Sequence, residues 1–388
     1  MPEENENFRT DVLGNQAAKH GLPQGNMIAW NEANRKKCKI TFVGIAKNEA
    51  EALPRLIPSL KGFADRIVIV ETKNSTDNTV QVAKDLGAEV IQMDWPKPTD
   101  YGEARNMAIR HAMSKCVSKK AQGDWIAMFD VDEVLINPEK VRAALEQTPE
   151  HVHLASLEHW TSAGHKFPRA CMFRPGKGKY HYRVHEHLLR EDDSGGVLHI
   201  PPELGYLSHP DPIGATHDHD ELLECMKLDS EKYTDNATRH YYYGRQLYYK
   251  MDPACVEPLE KCIEHSGWGE EACLAACFAG HLFSQQGNAQ KAVEYYQRAL
   301  QKSDRVRDPF WGLLAYVQPN SQQAFELAQK ALSIEKSIYF DSNPHLYNEE
   351  STNKLKAVVQ KFKLSTPDAM GRMASPINTR DLVPPVRY

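Results

Sequence analysis

The sequence predicts an α/β domain built on a mostly parallel, Rossmann-like sheet, followed by an all-α domain of helical repeats. Three observations predict it. Apolar strands alternate with amphipathic helices from Lys39 onward, polar and charged residues gather at the ends of those strands, and small residues recur at helical-hairpin spacing after about residue 219.

Residues 1–36 are polar, with Gly14, Gly21, Pro23 and Gly25 and little apolar periodicity, and read as a flexible N-terminal arm. The α/β domain then spans 37–218. Ile40 to Ile45 is a strand, Ala50 to Leu60 places Leu53, Leu56, Ile57 and Leu60 at helical spacing, and Ile67 to Val70 is a second strand. Ser75 or Thr76 can cap a helix whose face is Val80, Ala83 and Leu86; Gly87 ends it, and Val90-Ile91 starts the next strand. Continuous apolar strands of this kind belong to parallel sheets covered on both faces, where ligands bind beyond the C-terminal strand ends. The polar signals lie at those ends: Lys47-Asn48-Glu49, Glu71 to Asp77, and Asp130 to Glu133.

Residues from about 150 to 220 hold 11 of the 17 histidines, with Trp160, Arg169, Arg174 and the stretch Arg183-Val184-His185-Glu186-His187, and read as an irregular, acceptor-side lid. A helical domain is expected over 219–362. Gly280, Phe283, Ala292, Tyr296 and Ala299 fall at positions 8, 11, 20, 24 and 27 of a 34-residue helix-turn-helix repeat. Gly312, Ala324, Ala328 and Ala331 echo four of them, and Gly244, Cys255 and Cys262 form a degenerate copy upstream. An ordinary helical bundle is the competing description. The segment 363–388, with Pro376, Pro384 and Pro385, reads as an extended tail.

At 388 residues and 41% hydrophobic content the chain can bury a substantial core. No apolar run approaches the roughly 20 residues that span a bilayer, and the first residues lack the pattern of a signal peptide, so the expected location is cytoplasmic. The eight cysteines are scattered, with no CxxC pair, and are expected as small buried thiols rather than zinc ligands or disulfides. A net charge of −5 gives no global attraction to nucleic acid or anionic membrane, although Arg35 to Lys37 and Lys115 to Lys120 form local basic runs.

The run Trp125 to Phe129 ends at Asp130-Val131-Asp132-Glu133. Alternation along an extended chain would put Asp130 and Asp132 on one face, where two anionic oxygens can hold a hard divalent cation against the phosphates of a nucleotide. The alternative is an acidic loop that caps the helix after Asn137-Pro138.

Ile45 to Glu49, Val70 to Thr79, Tyr101 to Asn106 and Asp130 to Glu133, in that order and followed by Arg183-Val184-His185-Glu186, resemble glycosyltransferase family 2 on a GT-A fold. More narrowly, residues 38 to 335 resemble the subgroup with C-terminal tetratricopeptide-like repeats. The resemblance implies an inverting, metal-dependent transferase that moves a sugar from a nucleotide-sugar donor, a UDP-hexose, with Mn2+ or Mg2+ as cofactor. By the same resemblance Asp132 binds the metal, Asp130 contacts ribose and supports the metal, and His209 completes the metal shell.

Glu186 is implied as the general base that takes the proton from the acceptor nucleophile. Ala46, Glu49 and Glu71 are implied around the base and ribose, although Glu71 replaces the family's usual aspartate and Glu49 has a second reading as a helix N-terminal carboxylate. Arg105 is implied at the diphosphate, or else in a surface ion pair. Glu133 faces either the site or the next helix. Trp160, Arg169 and Arg174 border the acceptor groove or pack in the core. The other histidines of that region, His185, His187, His217 and His219, are weaker metal candidates, and Glu158 and Asp211 are reserve bases. Expected partners are the nucleotide-sugar donor and an acceptor that is a peptide, protein, glycan or nucleobase, without membrane insertion, the repeats also serving for homo-oligomerisation. The rival function classes are an inactive repeat scaffold and a transferase acting on modified nucleobases; a phosphoryl-transfer enzyme lacks support from any GxxxxGK[ST] loop.

Overall fold

A computed structural model describes residues 36–114, 124–162, 164, 166–191, 195–210, 219–335 and 344–365. The arm before residue 36, the basic run at Lys115 to Lys120, Asp211, His217, the side chain of His219 and the tail beyond residue 365 lie outside the described residues. The chain divides between Cys225 and Met226 into two compact units.

In the first unit β1 (Ile40–Ala46), α1 (Leu53–Ser59), β2 (Arg66–Glu71), α2 (Thr79–Asp85), β3 (Glu89–Gln92), α3 (Tyr101–Ser114) and β4 (Trp125–Ala127) follow one another. β3, β2, β1 and β4 lie side by side and parallel. Phe42, Leu53, Leu56, Phe63 and Trp125 fill the core on one face of this sheet, and Val43, Val68, Ala104 and Ala108 fill the other. Burial on both faces explains the unbroken apolar runs. The first helix is shorter than its spacing predicts, beginning at Leu53 with a proline in its first turn.

β5 (Val134–Ile136) and α4 (Pro138–Glu146) come next. Residues 150–210 are not the irregular lid expected from sequence. They supply β6 (Val152–Thr161), β7 (Lys166–Phe173), β8 (Gly178–His181), β9 (His187–Arg190), β10 (Gly196–His199) and β11 (Tyr206–His209). β7 joins β4 antiparallel, β6 follows β7, and β10 and β11 each pair parallel with β6, while β8 and β9 form a separate hairpin. Histidine and serine fill buried positions of β6 on both faces, so the two-residue alternation that marks a strand is missing from the sequence. The sheet is therefore parallel on one side and mixed on the other.

The second unit is helical, reached through α5 (His219–Lys232), inside which the division falls. α6 (Ala237–Tyr249), α7 (Val256–His265), α8 (Gly269–Gln285), α9 (Ala289–Lys302), α10 (Asp308–Leu314), α11 (Gln322–Ser333) and α12 (Glu349–Ser365) follow. The side chains of Asn236, Asn288 and Ser321 cap α6, α9 and α11 by accepting the backbone N–H three residues on. Gly280, Ala292, Ala299, Ala324, Ala328 and Ala331 sit where the helices approach, and all the alanines among them are buried. The Tyr296 ring fits between the Gly280 and Gly312 positions. The seven described cysteines are all buried, as their scatter predicts; Cys116 lies outside the described residues. No helix among the described residues is long and apolar enough to cross a membrane.

Candidate active site at the sheet's C-terminal edge

The turn after β1 is tied to the turn after β2. Asn48 adopts a left-handed backbone, φ 58°, a conformation asparagine tolerates. Its Oδ1 accepts from the Thr76 backbone N–H at 2.7 Å, and its own N–H donates to Ser75 Oγ at 3.1 Å. The Glu49 N–H donates to Thr79 Oγ1 at 2.7 Å, and that of Ala50 to Asp77 Oδ2 at 3.1 Å. These bonds set Ala46 and Glu49 at the mouth of the sheet. Burial, and then the charges of Asp132 and Asp130, push the Glu49 carboxyl up to about 7.

Glu71 is 2% exposed, and both its oxygens are engaged inside the protein. Oε1 accepts from the Ser75 N–H at 3.0 Å and Oε2 from Gln92 Nε2 at 2.9 Å. Burial raises its pKa, but the Ser75 and Gln92 hydrogen bonds prevail and hold it below the ordinary value. Glu71 thus shapes the β2–α2 turn and does not present a free carboxylate to a base.

β4 stops at Ala127, and Met128 and Phe129 remain buried as they leave the ladder. The Met128 N–H donates to Cys171 O at 2.8 Å. Asp130 to Glu133 is a turn, closed by the Glu133 N–H donating to Asp130 O at 3.2 Å, so the alternation expected of an extended chain does not apply. The two aspartates turn to different partners.

Asp130 Oδ1 accepts from Arg105 Nη2 at 2.6 Å and Oδ2 from Arg169 Nη1 at 3.1 Å. Burial opposes its charge, but the two guanidiniums outweigh it and keep the carboxyl well below the usual carboxylate range. Arg105 also donates through Nε to Glu186 Oε1 at 2.7 Å. It packs 5.3 Å from the centre of the Tyr180 ring. Desolvation disfavours the Arg105 cation, yet Asp130 and Glu186 raise its pKa further above the ordinary value.

Arg169 Nη2 bonds to Glu133 Oε2, which also accepts from the Asp130 N–H at 2.8 Å. Glu133 is 1% exposed and faces the interior of this cluster. His159 Nε2 stands 2.9 Å from Glu133 Oε1. Asp132 instead meets His209, whose Nε2 lies 3.0 Å from Asp132 Oδ2. That hydrogen bond, against partial burial, raises the His209 pKa. Among the described residues no group of three or more His, Cys, Asp and Glu side chains is disposed to hold a metal ion.

The segment carrying Glu186 is seated on the start of α3. The Tyr101 N–H donates to Arg183 O at 2.8 Å and the Gly102 N–H to Tyr182 O at 3.2 Å. A Cβ at Gly102 would lie 2.5 Å from Tyr182 O, so only glycine allows this approach. Tyr182 and His185 both have left-handed backbones, φ 73° and 49°, strain that the surrounding contacts maintain. Arg183 Nη1 donates to Thr99 O at 3.1 Å.

The structure thus brings together Glu49, Arg105, Asp130, Asp132, Glu186 and His209 and withdraws Glu71. Arg169 lies within the cluster. Arg174 does not: it covers the Trp125 ring at 4.5 Å and donates to Val152 O at 2.9 Å, at the opposite end of β4. Trp160 stacks on Tyr206 at 3.9 Å, is covered by Lys166, and donates to Glu158 Oε2 at 2.6 Å. His187 faces His181 in the β8–β9 hairpin. His159 carried a usable signal once β6 is recognised, since alternation places it on the face opposite Trp160.

Residues 41–170 match the family described as Glycosyl transferase family 2. A TPR repeat-containing protein of Synechococcus elongatus is 26% identical over 270 residues, covering 68% of this chain and 57% of its own length. An uncharacterized glycosyltransferase of Rickettsia prowazekii is 37% identical over 97 residues, which are 25% of this chain and 29% of that protein. The chain therefore spans less than two thirds of these curated relatives. A crystal structure of S. aureus TarS 1-349 aligns with a TM-score of 0.37 and 13% identity, over 84% of this chain and 92% of that one.

Proposed function

Since this chain carries a family 2 glycosyltransferase domain followed by tetratricopeptide-like repeats, we propose that it moves a hexose, with inversion, from a nucleoside diphosphate sugar to a nucleophile on an acceptor. The observation that supports this most directly is Arg105, whose single guanidinium joins Asp130 to Glu186. It sets the carboxylate beside the cation position and the carboxylate proposed as base at two ends of one planar group.

Glu186 would take the proton as the acceptor oxygen attacks the anomeric carbon and the bond to the diphosphate breaks. Donor-side positions fall to Ala46, Glu49 and Asp130. UDP-hexose is the donor class we adopt from the family resemblance, with the difference that Glu71 supports the pocket from behind.

Asp132 and His209 fit a divalent cation. Their facing atoms are 3.0 Å apart, the separation of adjacent ligands each about 2.1 Å from one metal. Asp130, with both oxygens held by arginines, fits a supporting role better than a ligand's. When bound, Mn2+ or Mg2+ would stabilise the charge that builds on the departing diphosphate. We assign the acceptor to the peptide or protein class, because stacked helical repeats commonly present a concave surface to such partners.

A screen of UDP- and GDP-sugars with manganese, read by mass spectrometry of donor hydrolysis and of peptide, glycan and nucleobase acceptors, tests the proposal. Release of nucleoside diphosphate with the hexose retained on an acceptor supports it. A folded chain that neither binds nor turns over any donor is an inactive scaffold, and the proposal fails.

A further inference from the structure

Arg55, in α1, ends in a guanidinium whose Nε and Nη2 are buried, and among the described residues no oxygen accepts from either. These two nitrogens form one edge of the group, with parallel N–H bonds spaced for two oxygens of a single carboxylate or phosphate. The same protein shows the edge in use. Arg66 grips both oxygens of Glu89 through Nε at 2.8 Å and Nη2 at 2.6 Å. Arg105 and Arg169 are likewise paired with carboxylates.

The position of Arg55 says where such an oxyanion would lie. One turn further along the same helical face, Ser59 Oγ accepts from the Leu135 N–H at 3.1 Å. That face of α1 therefore meets the start of β5, which directly follows the Asp130–Glu133 turn. The guanidinium also lies within electrostatic reach of Glu49, whose charge it favours. A cationic edge closed to water, with no acceptor, carries an unmet desolvation cost that a ligand's oxygens would remove.

We propose that Arg55 binds an oxyanion in the donor site, taking two oxygens of the nucleotide-sugar's diphosphate on its Nε–Nη2 edge. This rests on the transferase reading and adds a residue to it. The edge offers only donors, so its ligand is anionic and presents two oxygens side by side. Three sources share that chemistry: the diphosphate, a carboxylate on the transferred sugar, and Glu49 itself after a change of rotamer. The diphosphate is favoured because Asp132, its cation partner in the proposed function, lies in the turn this face of α1 meets.

Calorimetric titration of the full chain and of Arg55→Gln and Arg55→Lys separates these sources, with inorganic pyrophosphate, UDP, UDP-glucuronate and uridine as probes, each with manganese. Arg55→Gln should weaken pyrophosphate and UDP alike by about 10- to 100-fold, the loss of charge-assisted bonds, and leave uridine unchanged. Arg55→Lys, which keeps the charge but not the paired donors, should fall between. Thermal unfolding establishes that each variant is folded, and Arg55→Lys decides by the same comparison if Arg55→Gln is not.

Unchanged affinity for pyrophosphate and UDP in a folded variant overturns the assignment. Dependence on Arg55 that appears only with UDP-glucuronate gives the edge to a sugar carboxylate and overturns it too. Equal losses of stability in Arg55→Gln and Glu49→Gln, with binding intact, would mean that Glu49 closes the edge. Each of these outcomes leaves the transferase reading standing. A wild-type chain that binds neither pyrophosphate nor UDP overturns the assignment of Arg55, and the transferase reading falls with it only if no donor of the UDP- and GDP-sugar screen is bound or turned over.

Discussion

His209 Nε2 lies 3.0 Å from Asp132 Oδ2, although 77 residues separate the two in the chain. β11 carries the histidine and the turn after β4 carries the aspartate, and the contact closes because β11 pairs with both β6 and β5. It joins a signal at the end of the parallel strands to a residue on the mixed side of the sheet. Neither residue makes this site alone.

Asp132→Ala and His209→Ala should each abolish or sharply reduce manganese-dependent binding of UDP, measured by calorimetry. The imidazole must shed its proton to become a ligand, and Asp132 holds its pKa above the ordinary value. Apparent metal affinity should therefore rise as pH increases through the His209 titration. Affinity that is flat with pH and equal in both variants would remove the pair from the metal site.

Glu49 predicts a pH effect on stability. Its carboxyl titrates at about 7 in the folded chain against 4.5 as the ordinary value, so the folded chain holds the proton more tightly. The stabilisation is complete below about 4.5 and is lost as pH rises through about 7. Glu49→Gln should thus raise the unfolding free energy at pH 8, by no more than about 2–3 kcal/mol given its partial exposure, and leave it unchanged at pH 4, as denaturant titration at the two pH values checks. A gain of equal size at both pH values would contradict an origin in the Glu49 carboxyl's titration, raised by burial and then by the charges of Asp132 and Asp130.

Glu186→Gln should keep UDP affinity and cut transfer by about 100- to 10,000-fold, as loss of a general base does. Its hydrogen bond from Arg105 survives in the amide, so the geometry should persist. Single-turnover assays separate this from a binding defect. A transfer rate close to wild type would assign the base elsewhere, with Glu158, which already accepts from Trp160, as the next residue to test.

The parallel half of the fold was legible in the sequence because strands buried on both faces read as unbroken apolar runs, as in β1 and β2. Residues 150–210 were not, because β6 fills its interior positions with histidine and serine as readily as with leucine. In the site, the residue types at Asp130, Asp132, Glu186 and His209 could be read, but their partners could not. Alternation failed at Val131 because the chain turns there, and Glu71 looked available because nothing in its neighbourhood announces Gln92, 21 residues on. Arg55 and Arg169 show the same limit from the other side. A charged residue on a helix or strand gives no sign in sequence of whether its partner is solvent, a carboxylate or a ligand.

Arg169 holds Asp130 and Glu133 together, and Glu133 is 1% exposed. Arg169→Ala should leave a buried carboxylate uncompensated and destabilise the first unit by about 3 kcal/mol. Arg169→Lys should recover only part of this, since a point charge cannot serve both acceptors with the geometry of a guanidinium. Urea denaturation of the variants checks both, and a loss below about 0.5 kcal/mol would place Arg169 among surface ion pairs.

Gly312→Ala tests the repeat packing. A Cβ there would lie 2.4 Å from Tyr296 Cζ, and one at Gly280 would lie 3.1 Å from the same ring. The tyrosine is 6% exposed and wedged between the two positions, so it has no room to retreat. The cost should be about 1–3 kcal/mol, typical of overpacking, and the larger at Gly312. Proteolysis of the full chain should then cut first within the repeats while manganese-dependent UDP binding persists. Resistance equal to wild type would mean that the helices separate easily, and that the glycines at this position of the repeat are not there to admit the ring.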